Sequence, residues 1–258
     1  MLVVRLGQGF WRWVAIALAC GLIAAVLRWG SNAVGLDVQV ASAVAAPLTF
    51  VPTHDPALAL TFDATGPSLS LDGVLRTLST YGVPATFFVG TGLVRGAPAT
   101  VRALAAAGNE VELQAPSGFG GNGPAAAAAQ TTLHSEAQAL SALAGTPHFV
   151  QPAPGGFGGR TVRDAQSAGL TVVGWSVDPE DWAPEGADVV IGRVLGAATA
   201  GDIVVLHCTT DTVQALPAII EGLRAKGMDL TTLDGLLALA EGAATATPSP
   251  TSAGPAGG

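Results

Sequence analysis

The 258-residue chain carries 11 basic and 19 acidic side chains, for a net charge of −8, and 49% of it is hydrophobic. That balance offers no broad electrostatic attraction for nucleic acid, which is excluded as an expected partner. Two cysteines, Cys20 and Cys208, cannot form a disulfide framework, and the apolar content suffices for one good-sized domain together with a membrane segment.

Residues 13–27 are uncharged, follow Arg5 and Arg12, and have Trp11, Trp13 and Trp29 at their ends. The run is short for a spanning helix of ~20 residues and fits the apolar core of a signal peptide equally well. The nearest Ala-x-Ala, Ala43-Val44-Ala45, lies far beyond it with Arg28 between. Residues 1–30 are therefore read as an uncleaved N-terminal transmembrane helix, a single-pass anchor in the cell membrane. The arginines on its N-terminal side put the remainder on the extracytoplasmic side. Cleavage of the segment would instead give a secreted protein. Residues 31–56 show no sustained period and read as a linker, with a short extended piece at 38–40.

From residue 57 apolar strands alternate with helical patterns. Strands are expected near 57–62, 85–89, 109–113, 148–151, 170–177, 202–206 and 228–233. Helices are expected near 68–80, 97–107, 126–144, 160–168, 187–200, 212–226 and 234–241. Gly82, Gly108, Gly169 and Gly227 stand where helix C-termini call for glycine. The alternation predicts βαβ units and a parallel sheet, as a seven-unit barrel or a doubly wound open sheet. The glycine-rich residues 115–124 read as a flexible loop on the side of the sheet where sites are built, and the Pro/Ser/Thr/Gly-rich residues 242–258 as a disordered tail.

The first strand breaks off at Asp63 and is followed by Gly66-Pro67. A carboxylate at the end of a buried parallel strand is a candidate for chemistry, and a turn-forming Asp is the plain alternative. At the end of the sixth strand, His207 invites the same pair of readings, catalytic or structural. Asp178, Glu180 and Asp181 form either a site or a solvated loop cluster, with Trp182 as a lid. His54, His134 and His148 have no ligand spacing among them.

The stretch Thr61-Phe62-Asp63-Ala64-Thr65-Gly66-Pro67 resembles the first motif of the polysaccharide deacetylases with a NodB-homology domain, carbohydrate esterase family 4. The likeness covers about 57–240 and implies the distorted (β/α)7 barrel over 57–241. It puts the catalytic base at Asp63 and a metal ligand at Ala64. The family's two metal-binding histidines fall on Gln114 and Gly118, and the Arg that orients the base falls on Gln151. Asp178-Pro179-Glu180-Asp181-Trp182 is similar to the Asp-x-x-Asp-Trp motif and is intact, and Leu206-His207 keeps the motif whose His is the general acid.

The resemblance implies catalytic roles for Asp63, His207 and Asp181, with Trp182, Gln151 and Asp178 lining a substrate groove. Every family metal ligand is replaced, since neither an amide nor a glycine substitutes for imidazole on a zinc-type ion. Glu112 shares a strand face with Glu110 and Gln114, so it is the candidate to supply oxygen to a substitute cation site near Asp63. The expected function is a catalytically degenerate, membrane-anchored, deacetylase-like protein (a pseudoenzyme) that binds or acts on N-acetylated cell-wall glycans such as peptidoglycan, with no cofactor. The alternatives are a hydrolase of carbon–nitrogen, non-peptide bonds with a substituted divalent metal site, or a metal-free carboxylate glycosidase.

Overall fold

A computed structural model describes residues 46–65 and 69–245. Among these residues seven strands form, β1 (Ala57–Ala64), β2 (Thr86–Val89), β3 (Glu110–Gln114), β4 (Phe149–Gln151), β5 (Thr171–Val172), β6 (Ile203–His207) and β7 (Asp229–Thr231). Between and after them lie α1 (Leu69–Tyr81), α2 (Thr91–Val94), α3 (Pro98–Ala106), α4 (Gly123–Ala144), α5 (Gly159–Ser167), α6 (Ala187–Ala197), α7 (Thr210–Ala225) and α8 (Leu233–Thr245).

All strand pairs are parallel, in the order β5-β4-β3-β2-β1-β6, with β7 also on β1. β1 is the hub. Gly90 N–H donates to Ala64 C=O and Asp229 N–H to Pro56 C=O, so β2 and β7 share one edge of β1 while β6 takes the other. A parallel strand hydrogen-bonded on both edges and covered on both faces must be apolar throughout, and β1 is buried over all but Asp63.

Alternation along β1 divides the interior in two. Leu58, Leu60, Phe62 and Ala64 face the helix layer, where Phe62 stacks on Phe87 at 5.2 Å. Full burial of each such leucine or phenylalanine is worth about 1.5–3 kcal/mol. Ala57, Ala59, Thr61 and Asp63 face the concave side, where small side chains leave room for Phe88, Phe149, Val173 and Ile203. Leu233 and Leu236 of α8 pack into that inner cluster and close its lower end.

The sheet curls far enough for its two ends to meet. β5 is two residues long rather than the expected eight, because the chain changes partners after Val172. Val173 bridges Leu48, and Val177 then bridges Val204 of β6. Leu48 and Phe50, in the stretch read as linker, bridge Val173 and Asp202, and Val51 N–H donates to Gly201 C=O. Gly201, at φ +86°, admits this crossing, since a Cβ there would lie 2.3 Å from the Val51 carbonyl oxygen. The other departures are at ends: α2 is an additional short helix, α4 begins at Gly123-Pro124, and α8 runs to Thr245.

Among the described residues no helix is long and apolar enough to cross a membrane. The expected N-terminal helix (1–30), the extended piece at 38–40 and the tail from 246 lie outside the described residues.

Candidate active site

Asp63 and His207 end adjacent strands in register with each other. Their side chains meet at the C-terminal rim of the sheet, with His207 Nε2 3.8 Å from Asp63 Oδ2. Gln114, at the end of β3, reaches the same oxygen and donates Nε2–H to it at 3.1 Å. Gln151, in register with Gln114 and on the concave face with Phe149, is 1% exposed, and neither of its amide atoms has a hydrogen-bond partner.

Asp181 is buried and binds His207 twice. Its Oδ2 accepts the backbone N–H at 2.7 Å and its Oδ1 lies 2.7 Å from ring Nδ1. The Thr212 hydroxyl, fully buried, also donates to Asp181 Oδ2. Thr212 sits in the first turn of α7, which begins immediately after β6, and Thr209 caps that helix by accepting the Thr212 N–H at 3.1 Å. One tight strand-to-helix turn thus fixes both the imidazole and the donor that steadies its carboxylate. A threonine before an apolar-periodic run marks Thr209 as an N-cap in the sequence, but no local pattern marks Thr212.

Burial pushes the Asp63 carboxyl up to about 6, against the opposing pull of His207, and the charges of Asp181 and Asp178 add to the rise. For His207, burial works to lower the imidazole, yet the Asp181 hydrogen bond and the charges of Asp181 and Asp63 carry it above its ordinary value. A carboxylate poised near neutrality beside an imidazole made more basic by a buried partner is an arrangement able to exchange protons between Asp63 Oδ2, His207 Nε2 and a bound molecule. Beside them, burial raises the Cys208 thiol to about 12, which leaves it unreactive.

Trp182 is 60% exposed and lines a 200 Å³ depression with Asp181, Pro184, Thr209 and Asp211, whose walls include neither Asp63 nor His207. Asp178 is exposed and accepts the Glu180 N–H at 2.8 Å. It approaches the site only through its charge, which acts on Asp63 and His207.

The positions where the resemblance expects metal ligands carry no set of side chains aimed at one point. Ala64 is 1% exposed and faces the helix layer, on the other side of the strand from Asp63. Gln114 spends its amide N–H on Asp63, and Gly118 is exposed with φ +87°. Glu112, expected as a substitute ligand near Asp63, turns elsewhere: its carboxylate accepts the backbone N–H groups of His148 and Phe149 at 2.9 and 2.8 Å. Burial raises it to about 8, and the charges that add to this are Glu110 and Asp234, whereas those acting on Asp63 are Asp181 and Asp178. The physical reason is that β4 starts with unpaired N–H groups within reach of Glu112. Among the described residues no three His, Cys, Asp or Glu side chains gather as a metal-holding group. His148 pairs with Asp234 at 3.5 Å and His134 with Gln130 at 3.3 Å, both away from the site.

Comparison with known proteins agrees with this architecture. Residues 50–173 match the polysaccharide deacetylase family. The chain is 32% identical over 207 residues to a chitooligosaccharide deacetylase of Rhizobium leguminosarum bv. trifolii, covering 70% of this chain and 92% of the relative. It is 33% identical over 190 residues to the peptidoglycan-N-acetylglucosamine deacetylase PgdA of Listeria monocytogenes serotype 1/2a (strain 10403S), covering 69% of this chain and 38% of that one. In fold it is similar to a family 4 carbohydrate esterase pseudoenzyme from Bacillus anthracis, with TM-score 0.69 and 23% identity over 74% of this chain and 69% of the other. With its curled parallel sheet, its strand-end carboxylate and imidazole, and a relative matched over nearly its whole length, the chain belongs to the polysaccharide deacetylase family.

Proposed function

We propose that this domain binds N-acetylated cell-wall glycans at the Asp63–His207 rim without deacetylating them. The observation that carries the reading is the Gln114–Asp63 hydrogen bond. Where the family resemblance expects an imidazole ligand to a divalent ion, an amide N–H is satisfied by the carboxylate of the expected base.

The surrounding donors do not fit a divalent cation. Ala64 faces the apolar helix layer, Gly118 has no side chain to offer, and Gln114, whose amide N–H is turned to Asp63, offers a zinc-type ion a carbonyl oxygen in place of the imidazole nitrogen. A metal, where one is bound, would polarise the amide carbonyl and acidify water, a contribution of several kcal/mol. The Asp63 and His207 pair can move protons, which is worth on the order of 10²- to 10⁴-fold and does not replace that. Gln151 is neutral and brings no positive charge to Asp63.

The glycan preference is inferred from the relatives that act on chitooligosaccharides and on peptidoglycan. The exposed Trp182 ring offers an apolar face for a sugar ring, next in sequence to the Asp181 that holds His207. The uncharged run at 13–27 is proposed to anchor the domain on the extracytoplasmic side of the membrane, where such glycans lie.

Titration of the protein with N-acetylglucosamine oligomers, followed by calorimetry alongside an acetate assay with and without added zinc, tests the reading. Saturable binding lost on Trp182→Ala, with no acetate above an Asp63→Ala control, is expected. Metal-dependent acetate release abolished by a chelator and by Asp63→Ala would overturn it.

A further inference from the structure

Asp181 and Trp182 are adjacent in sequence yet do opposite things, one buried against His207 and the other exposed at the rim. The turn that achieves this runs through Glu180, at φ +55° the single non-glycine residue with positive φ among the described residues. A left-handed glutamate costs free energy and persists only where its surroundings hold it. The inner side of the loop is held by Asp181 on His207 and Thr212, and its far end by Gly186, whose N–H donates to Asp211 Oδ2 at 3.0 Å. Its outer side is held by Arg193, a residue of α6 that no motif marks.

The Arg193 guanidinium reaches the loop on both sides of Asp181-Trp182. Nη1 donates to the Pro179 carbonyl at 2.9 Å and lies 3.4 Å from Glu180 Oε2, while Nη2 pairs with Glu185 Oε2 at 2.6 Å. Its helix is itself anchored, with Val190 and Val194 buried, so the clamp is mounted on a rigid element. A lone surface ion pair contributes little. Here one planar fork joins a backbone carbonyl and a carboxylate on one side of the Trp182 turn to a carboxylate on the other, a geometry that Arg provides and a single ammonium does not.

We propose that Arg193 is a positioning residue, which clamps loop 178–186 so that Asp181 stays seated on His207 and the Trp182 ring stays presented at the rim. The proposal rests on reading this rim as the glycan-binding face, but its test needs no glycan. In the ligand-free full chain, nuclear magnetic resonance would follow two signals: the ¹⁵N shifts of the His207 ring, which report the Nδ1–H tautomer set by Asp181, and the backbone order parameters of residues 181–183. Arg193→Leu is expected to drop those order parameters from about 0.85 to below about 0.6 and to loosen the His207 tautomer preference. Arg193→Lys is expected to restore part of both. Glu185→Gln, a milder change that weakens one end of the clamp, should give an intermediate loss and keeps the test open should Arg193→Leu not fold. Unchanged ring shifts and order parameters in either folded variant would overturn the clamp. Absence of oligomer binding by the unmodified protein would overturn the binding proposal and leave the clamp to be decided by the variants' signals, whereas unchanged signals in the variants of a protein that does bind would overturn the clamp alone.

Discussion

Asp63 is a strand-end carboxylate whose ordinary value of 3.8 is raised to about 6 by burial. The folded protein therefore binds this proton more tightly than the unfolded chain does. The stability linked to it is full below pH 3.8 and is lost as pH rises to about 6, a swing of ~3 kcal/mol at one pK unit per 1.36 kcal/mol. Asp63→Asn is accordingly expected to raise the thermal midpoint at pH 8 and to change it little at pH 3.5, as scanning calorimetry at the two values would show. A midpoint at pH 8 that falls on substitution would mean that the Gln114 and His207 contacts outweigh burial. Thr212 is the second informative residue. Thr212→Val removes the buried donor to Asp181 and is expected to cost about 1–3 kcal/mol in denaturant unfolding, and to lower the His207 titration as the carboxylate loses its anchor.

At the scale of elements, β3 and β4 are joined by more than their ladder. Glu112 on β3 receives two N–H groups from the start of β4, and Glu110 below it accepts the Thr86 hydroxyl at 2.8 Å and the Asp234 N–H of α8 at 3.2 Å. Thr86 in turn accepts the Leu233 N–H at 2.8 Å, so β2, β3, β4 and the base of α8 meet around the buried Glu112 and half-buried Glu110 carboxyls. Burial raises both, Glu112 from 4.5 to about 8. Between those two values the folded state holds the Glu112 proton that the unfolded chain has lost, so stability declines as pH rises toward 8. Glu112→Gln keeps the two N–H acceptor contacts through its amide oxygen and removes the charge. It is expected to raise the urea midpoint at pH 9 while leaving pH 4.5 nearly unchanged. Equal shifts at both values would show that packing, not ionisation, governs this junction.

For the whole molecule, the test is whether the scaffold still holds the geometry of the family's metal chemistry. Ala64→Asp, Gln114→His and Gly118→His together restore the expected residue types. The carboxylate introduced at position 64, however, starts from a backbone position on the same strand face as Phe62 and Leu60, and a histidine at position 118 would sit at φ +87°, which L side chains rarely adopt. The triple variant is therefore expected to take up less than stoichiometric zinc by elemental analysis and to release acetate weakly at most. Stoichiometric zinc with rapid acetate release would show that the first loop rearranges to complete a site.

Much of this was legible in the chain itself. Seven apolar runs, each followed by a helical period and often by a helix-ending glycine, define the order of strands and helices because burial on both faces and the 3.6-residue repeat leave their marks locally. Asp63 and His207 could be picked out because strand ends are where an apolar run gives way to polar residues, whereas Gln114, Gln151 and Asp181 were marked by the likeness to the family's motifs. Contacts between residues far apart in sequence were not legible. Glu112 has the same alternation whether it turns toward Asp63 or toward His148 and Phe149, and only the nearby unpaired N–H groups of β4 decide between the two. The short β5 and its change of partner depend on Leu48 and Val204, each far along the chain from the residue it bridges. Arg193 reads as an ordinary charged helix position until the loop it clamps is folded against it. Sequence determined which chemistry-bearing side chains this protein owns and on which elements they stand. Tertiary structure decided which of them meet, because direction and distance across a curled sheet are set by pairing register and packing, and no local pattern encodes these.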